Sequence, residues 1–252
     1  MDMNGSVIAI TGAGGGLGQT MAIELAKAGA SLALLDLDSR SLEETQALCA
    51  ASQARVYLYP MDVTDEQQVE QTFDAIVRDL GQLDGLVNNA GILRDAMLVK
   101  VKGEEVSKMS LAQFNSVISV NLTGTFLCGR EAALKMIETK RKGVIINISS
   151  VSRAGNMGQS NYSASKAGVA SLATCWAKEL GRYGIRAAAI APGVVKTAMT
   201  DQMKPEAIAR LENMVPLGRI AQADEIAHAV KFIFESDYYT GRVLELDGGL
   251  RL

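Results

Sequence analysis

Short apolar, partly β-branched runs recur along the 252-residue chain, each separated from the next by a longer stretch with helical periodicity. The runs are Val7–Ile10, Leu32–Leu35, Arg55–Tyr59, Leu83–Val87, Gly143–Ile148, Arg186–Ile190 and Val243–Leu246. The stretches between them predict helices at about Gly16–Ala28, Ser39–Ala51, Glu66–Leu80, Leu111–Lys140, Tyr162–Tyr183, Pro205–Met214 and Ala223–Phe234. Nearly continuous apolar runs suit strands buried on both faces, and their alternation with helices builds βαβ units. The pattern therefore predicts an α/β fold, a doubly wound parallel sheet of about seven strands with helices on both faces. Ser110 with Gln113 matches a capping box, and Asp65 or Thr64 can cap the helix after Asp62. Only Leu93 to Ser110 forms a long connection without clear periodicity, and such loops are commonly functional or mobile. It is expected to be the substrate-side element.

Composition narrows the class. Hydrophobic residues make up 48% and charged residues 21%, and no Pro/Gly/Ser-rich linker divides the chain, so residues 1–252 read as one domain. The formal charge is −3 and the basic residues are dispersed, densest at Lys140-Arg141-Lys142, which argues against nucleic acid as a partner. The first apolar run follows no basic region and is too short for a signal peptide or membrane span, so a cytoplasmic protein without a membrane association is expected. Cys49, Cys128 and Cys175 are far apart and read as reduced, buried hydrophobes. The single histidine, His228, lies on a predicted helix, which leaves no supply for a multi-histidine metal site; no metal is expected.

The first strand runs into Thr11-Gly12-Ala13-Gly14-Gly15-Gly16-Leu17-Gly18, which opens directly into a helix. A glycine turn of this kind lets backbone N–H groups approach a pyrophosphate at the positive end of the helix dipole. Asp36 ends the second strand, 24 residues after Gly12, where a carboxylate can accept from the adenosine ribose hydroxyls and would repel a 2′-phosphate. Gly15 rather than a cation stands in the turn, Leu37 follows Asp36, and Arg40 is the only nearby cation, so NAD(H) is expected over NADP(H). Tyr162 and Lys166, four apart on a predicted helix, share one face. A phenol is a poor acid–base catalyst near neutral pH unless a cation stabilises its phenolate, and Lys166 is placed to do so.

With these in order, the chain resembles the short-chain dehydrogenase/reductase family from Ser6 to Leu252. The resemblance rests on Thr11 to Gly18, Asp62-Val63, Asn88-Asn89-Ala90-Gly91, Asn121, Asn147-Ile148-Ser149-Ser150, Tyr162 with Lys166, and Pro192-Gly193 followed by Thr197. It implies a Rossmann-like fold in which Tyr162 is the general acid–base, Lys166 lowers its pKa and holds the nicotinamide ribose, and Asn121 helps hold a water beside Lys166. The glycine turn (Gly12, Gly15, Gly16, Leu17, Gly18), Asp36 and Leu37, Asp62 and Val63, Asn89 with Ala90 and Gly91, and Pro192, Gly193, Val195 and Thr197 would line the cofactor. For the serine that bonds the substrate oxygen, the usual spacing selects Ser149, thirteen before Tyr162, whereas the strand-end motif selects Ser150, twelve before. Ser150 is preferred, because a deletion is more easily absorbed in the loop Val151 to Gly158.

Within the family the resemblance is to reductases of 3-oxoacyl groups on acyl carrier protein, carried by Ile92-Leu93-Arg94-Asp95, Gly158 to Tyr162, Val215 to Arg219 and Leu246 to Gly249. The acidic Asp36, an apparent insertion at Val99 to Met109 and Leu134 at a position where a basic residue is usual depart from that group, while Lys178 matches it. Acyl carrier protein is thus a candidate partner. The alternatives are an NAD-dependent dehydrogenase of a 3-hydroxyacyl-CoA, a sugar or polyol, or another secondary alcohol, and a non-catalytic dinucleotide-binding protein. The apolar residues of Leu111 to Lys140 lie on more than one side of that helix, and with the resemblance they imply a homotetramer.

Overall fold

The structure, a computed structural model, describes residues 1–52, 54–196 and 205–252. Among them, seven parallel strands form one sheet: β1 (Val7–Thr11), β2 (Ser31–Asp36), β3 (Val56–Pro60), β4 (Gly85–Asn88), β7 (Val144–Ile148), β8 (Arg186–Pro192) and β9 (Val243–Leu246). Their spatial order is β3-β2-β1-β4-β7-β8-β9, the doubly wound topology. Every residue of β1 and of β7 is buried, as the unbroken apolar runs require.

Successive β1 side chains serve opposite layers. Ile8 and Ile10 join a core with Met21 and Leu25 of α1 (Gly16–Lys27), Leu42 of α2 (Ser39–Cys49), and Val230, Ile233 and Phe234 of α8 (Ala223–Glu235). Val7 and Ala9 face the other core, with Phe73 and Ile76 of α3 (Glu66–Leu80), Leu127 and Met136 of α5 (Thr125–Glu138), and Trp176 of α6 (Ser160–Leu180). The described residues also form α4 (Leu111–Ile118) and α7 (Pro205–Met214). Asp65, not Thr64, caps α3 by accepting from the amide of Gln68, and Ser110 and Gln113 form the expected capping box on α4.

Three expectations change. The helix anticipated over Leu111–Lys140 is interrupted at Ser119–Gly124 by a π-helical segment, so α4 and α5 are separate elements around a widened turn. The connection Leu93–Ser110 contains an antiparallel hairpin, β5 (Val99–Lys102) and β6 (Glu105–Lys108), all eight residues of it exposed. Its turn begins at Gly103 with φ +62, the left-handed conformation a two-residue hairpin loop needs first. Cys175 is exposed on α6 rather than buried, whereas Cys49 and Cys128 are buried and all three are free thiols. No described helix is long and apolar enough to cross a membrane, and no described cluster of His, Cys, Asp and Glu suits a metal ion.

Candidate active site

The strand order turns back on itself at β1, with β2 and β3 on one side and β4 on the other, which opens a crevice beyond the strands' carboxyl ends. The mouth of that crevice is tied together by Thr11. Its Oγ1 accepts from the amides of Asn89 at 3.0 Å and Ala90 at 3.1 Å, while Asn89 Nδ2 donates to the carbonyls of Thr11 at 3.1 Å and Gly12 at 3.0 Å. Gly12 has φ +65, and a Cβ there would stand 2.9 Å from Ala90 Cα, so both conformation and space demand glycine. A Cβ on Gly18 would lie 2.0 Å from the Gly12 carbonyl oxygen, which brings α1 directly onto the turn.

The N-terminus of α1 is built for an anion. Its N-cap, Gly15, provides no side-chain acceptor, the first turn contains no acidic residue, and first-turn amides have no intrahelical partner. A Cβ at Gly15 or Gly16 would meet nothing within 4 Å, so this end of the helix faces open space of the kind a pyrophosphate occupies. Leu17 turns inward against the core. Asp36 borders the same space; its carboxylate accepts from the amides of Gly14 at 2.9 Å and Leu37 at 2.8 Å, and the Leu37 side chain is exposed. Asp62 accepts from the amide and hydroxyl of Thr64, and Val63 packs against Gly124, where a Cβ would lie 2.7 Å from Val63 Cγ2. Beyond β8, the Gly193 amide donates to the Leu246 carbonyl at 2.9 Å and Val195 bridges to Ala221, which fixes the exit from Pro192. Thr197 lies outside the described residues.

The end of β7 assembles the polar groups. Ser149 is buried and spends its hydroxyl on the Lys166 carbonyl at 2.7 Å, whereas the Ser150 hydroxyl accepts from the Ser152 amide at 3.1 Å and lies near enough to the Tyr162 phenol to influence its titration. Lys166 Nζ donates to the Ile148 carbonyl at 2.7 Å and stands 5.7 Å from the Tyr162 ring centroid. Asn121 is held by the backbone of Ile92, accepting from its amide at 2.8 Å and donating to its carbonyl at 3.1 Å, and it reaches Ser165 at 3.3 Å. The Cα of Gly91 brings these groups together: a Cβ there would be 3.4 Å from Asn121 Oδ1 and 3.6 Å from Lys166 Nζ. Burial pushes the Tyr162 phenol above its ordinary pKa, the Ser150 hydrogen bond pulls it down, and the charge of Asp95 pushes it up. Burial also lowers Lys166 to about 8.

Two residues outside the expected set shape the site. Thr11 supplies the clamp just described. Asn161, fully buried, donates to the carbonyls of Arg94 at 2.9 Å and Gln113 at 3.2 Å and accepts from the Tyr162 amide at 2.8 Å. The sequence signal for Asn161 is slight: a polar residue at the start of a helix, ordinarily a solvated capping position.

A family model described as enoyl-(acyl carrier protein) reductase matches residues 12–251. The chain is 38% identical over 253 residues to the 3-oxoacyl-[acyl-carrier-protein] reductase FabG of Thermotoga maritima, covering 99% of both chains. Its structure superimposes on a short-chain type dehydrogenase/reductase from Mycobacterium marinum with a TM-score of 0.88 at 31% identity, covering 98% of this chain and 96% of that one. The chain belongs to the short-chain dehydrogenase/reductase family. It is an oxidoreductase that uses a nicotinamide dinucleotide, and a second structure of the family, NAD+-bound xylitol dehydrogenase, matches with a TM-score of 0.88 at 29% identity over 99% of this chain and all of the other. The uncapped α1 terminus and the open space at Gly15 and Gly16 fit the dinucleotide that the family binds.

The buried ammonium makes folding depend on pH. Below about 8 the folded chain holds a charged Lys166 out of water; between about 8 and the ordinary 10.5 the folded state has released that proton and the unfolded state still binds it. The unfolded state binds more protons in this window, so the Lys166 contribution to stability rises with pH across it. Urea unfolding of the unliganded protein should show Lys166→Met most favourable relative to wild type at the lower end of the window, with the difference shifting steadily toward wild type as pH rises. A difference independent of pH would contradict this reading.

Proposed function

We propose that the chain reduces the carbonyl of a 3-oxoacyl thioester using NADH, with Asn121, Ser150, Tyr162 and Lys166 as its catalytic residues. The observation that carries this reading is the gathering of polar groups at the carboxyl edge of the sheet: the buried Lys166 ammonium lies 5.7 Å from the Tyr162 ring and bonds the end of β7, two residues before Ser150. When bound, the reduced nicotinamide supplies a hydride to the carbonyl carbon. Charge then grows on the carbonyl oxygen, where the Ser150 hydroxyl can donate a hydrogen bond and Tyr162 its proton. Burial keeps Tyr162 protonated at neutral pH, which is the form that reduction requires. The positive charge of Lys166 limits the cost of the phenolate left behind, and Asn121 holds the Ile92 backbone and Ser165 around that ammonium.

For the cofactor, Asp36 with Leu37 beside it and Gly15 in the turn supports NAD(H) over NADP(H), since a 2′-phosphate would meet a carboxylate and no cation from those positions. For the substrate, the similarity to FabG supports a 3-oxoacyl thioester, and exposed Lys178 in the last turn of α6 offers a cation to an acidic carrier protein. The likeness to xylitol dehydrogenase favours the second reading, NAD-dependent oxidation of a secondary alcohol such as a 3-hydroxyacyl-CoA or polyol. The free thiols accord with a cytoplasmic enzyme. Leu111 on α4 and Phe126 and Leu134 on α5 are exposed apolar side chains, which supports burial against other copies in a homotetramer with a complete site in each subunit.

Absorbance assays with a panel of carbonyls and alcohols test the reading. NADH should be consumed with 3-oxoacyl thioesters and preferred over NADPH in kcat/KM, and Asp36→Ala should narrow that preference; a wild-type enzyme that prefers NADPH would contradict it. Light scattering at micromolar concentration should report four times the 26.8 kDa chain mass. A stable monomer would rule out the assembly.

A further inference from the structure

Three consecutive residues of the segment after β4 are bonded to the residues just before Tyr162. The Arg94 carbonyl accepts from Asn161 Nδ2 at 2.9 Å, Asp95 Oδ2 accepts from Gln159 Nε2 at 2.8 Å, and the Ala96 amide donates to the Gly158 carbonyl at 2.9 Å. Gln159 is itself oriented by Asn156, whose Nδ2 donates to its Oε1 at 2.9 Å. An exposed loop does not need its aspartate fixed in direction to stay attached, because the flanking bonds of the Arg94 carbonyl and the Ala96 amide already hold it. The Gln159 bond adds a defined place for a negative charge at the N-cap of α6, whose first turn contains Tyr162.

We propose that Asp95, aimed by Gln159, extends to higher pH the range over which Tyr162 keeps its proton. This rests on Tyr162 being the acid–base group. A carboxylate near a phenol disfavours the phenolate, so Asp95 extends the protonated, reductive form to higher pH and delays the form that oxidation needs; its charge acts on Tyr162 in that sense. The other charged groups on elements packed against Tyr162, among the described residues, are disposed differently. Lys166, on the same helix, acts from the opposite side of the balance as a cation. Arg94 turns its guanidinium back to the Leu93 carbonyl at 2.9 Å, and Arg153, in the turn after Ser150, pairs with Glu245. α4 carries no charged residue, and the π-helical segment carries none. Asp95 is therefore a positioning charge and makes no contact with the reacting atoms.

The test is Asp95→Asn, which removes the charge and keeps an oxygen that can accept from Gln159. The acid limb of alcohol oxidation and the alkaline limb of carbonyl reduction should both move to lower pH, so that oxidation at a fixed pH on the acid limb rises about two- to threefold. High salt should reduce the separation from wild type. Independently of any substrate, the ultraviolet titration of Tyr162, obtained as the difference between each protein and its Tyr162→Phe counterpart at saturating NAD+, should shift in the same direction. Limbs and titration unmoved, with only the rate changed, would overturn the proposal and leave Tyr162 as the acid–base group. A shifted titration without turnover on any substrate would instead uphold Asp95 and refute the functional reading on which it rests.

Discussion

The arrangement depends on a lysine ammonium placed out of water under the end of β7. Its neutralisation is partial: a carbonyl dipole from Ile148 meets Nζ, and no carboxylate does so among the described residues. That placement costs free energy in the unliganded protein, which is why the Lys166 pKa falls to about 8. The surrounding polar groups are arranged to hold it. Ser149 fixes the Lys166 backbone, Asn121 fixes the Ile92 backbone against Ser165, and Gly91 lies against both Nζ and Asn121 Oδ1. On the proposed reading, the buried cation next to the half-buried phenol lets an otherwise inert side chain exchange a proton.

The sheet supplies the second half of the site through the reversal of strand order at β1. Thr11 and Asn89 tie the ends of β1 and β4 with four hydrogen bonds, and this fixes the glycine turn relative to the segment that continues to Gly91 and Ile92. One rigid junction thus sets both the anion-binding end of α1 and the backbone that Asn121 grips. Elements far apart in sequence are brought into register by strand pairing: Asn88 opposite Asn147 places the ends of β4 and β7 level, and the two side chains bond at 2.9 Å.

Much of this was legible along the chain because parallel strands buried on both faces leave unbroken apolar runs, and because the glycine turn and the tyrosine–lysine pair are local in sequence. Helix α3 could be read to the residue, since Asp65 caps one end and Gly81, at φ +83, stops the other. The π-helical break at Ser119–Gly124 left no comparable mark: the residue within it that bonds elsewhere, Asn121, has its partner Ile92 29 residues away, and helical periodicity runs through the break. The hairpin at Val99–Lys108 did carry a period-two alternation with Gly103 at its turn, but four-residue strands with both faces in water present only a weak signal. Ser149 and Ser150 could not be told apart by spacing because the difference between them lies in their bonds: the Ser149 hydroxyl is spent on the Lys166 carbonyl, whereas the Ser150 hydroxyl accepts from the Ser152 amide. Thr11 and Asn161 stand within the resembling motifs, but their roles could not be read because their partners lie 78 and 67 residues away.

The central claim is that the phenol hydroxyl of Tyr162 moves the proton in this site. It is tested most directly by steady-state turnover of Tyr162→Phe, measured alongside its dinucleotide affinity. Removing one oxygen keeps the ring against Lys166 and leaves the α1 terminus untouched, so the affinity should stay near wild type while turnover falls by about 10² or more, the usual range for a lost general acid–base. Turnover within a few-fold of wild type would show that another group carries the proton and that the buried lysine serves some other purpose.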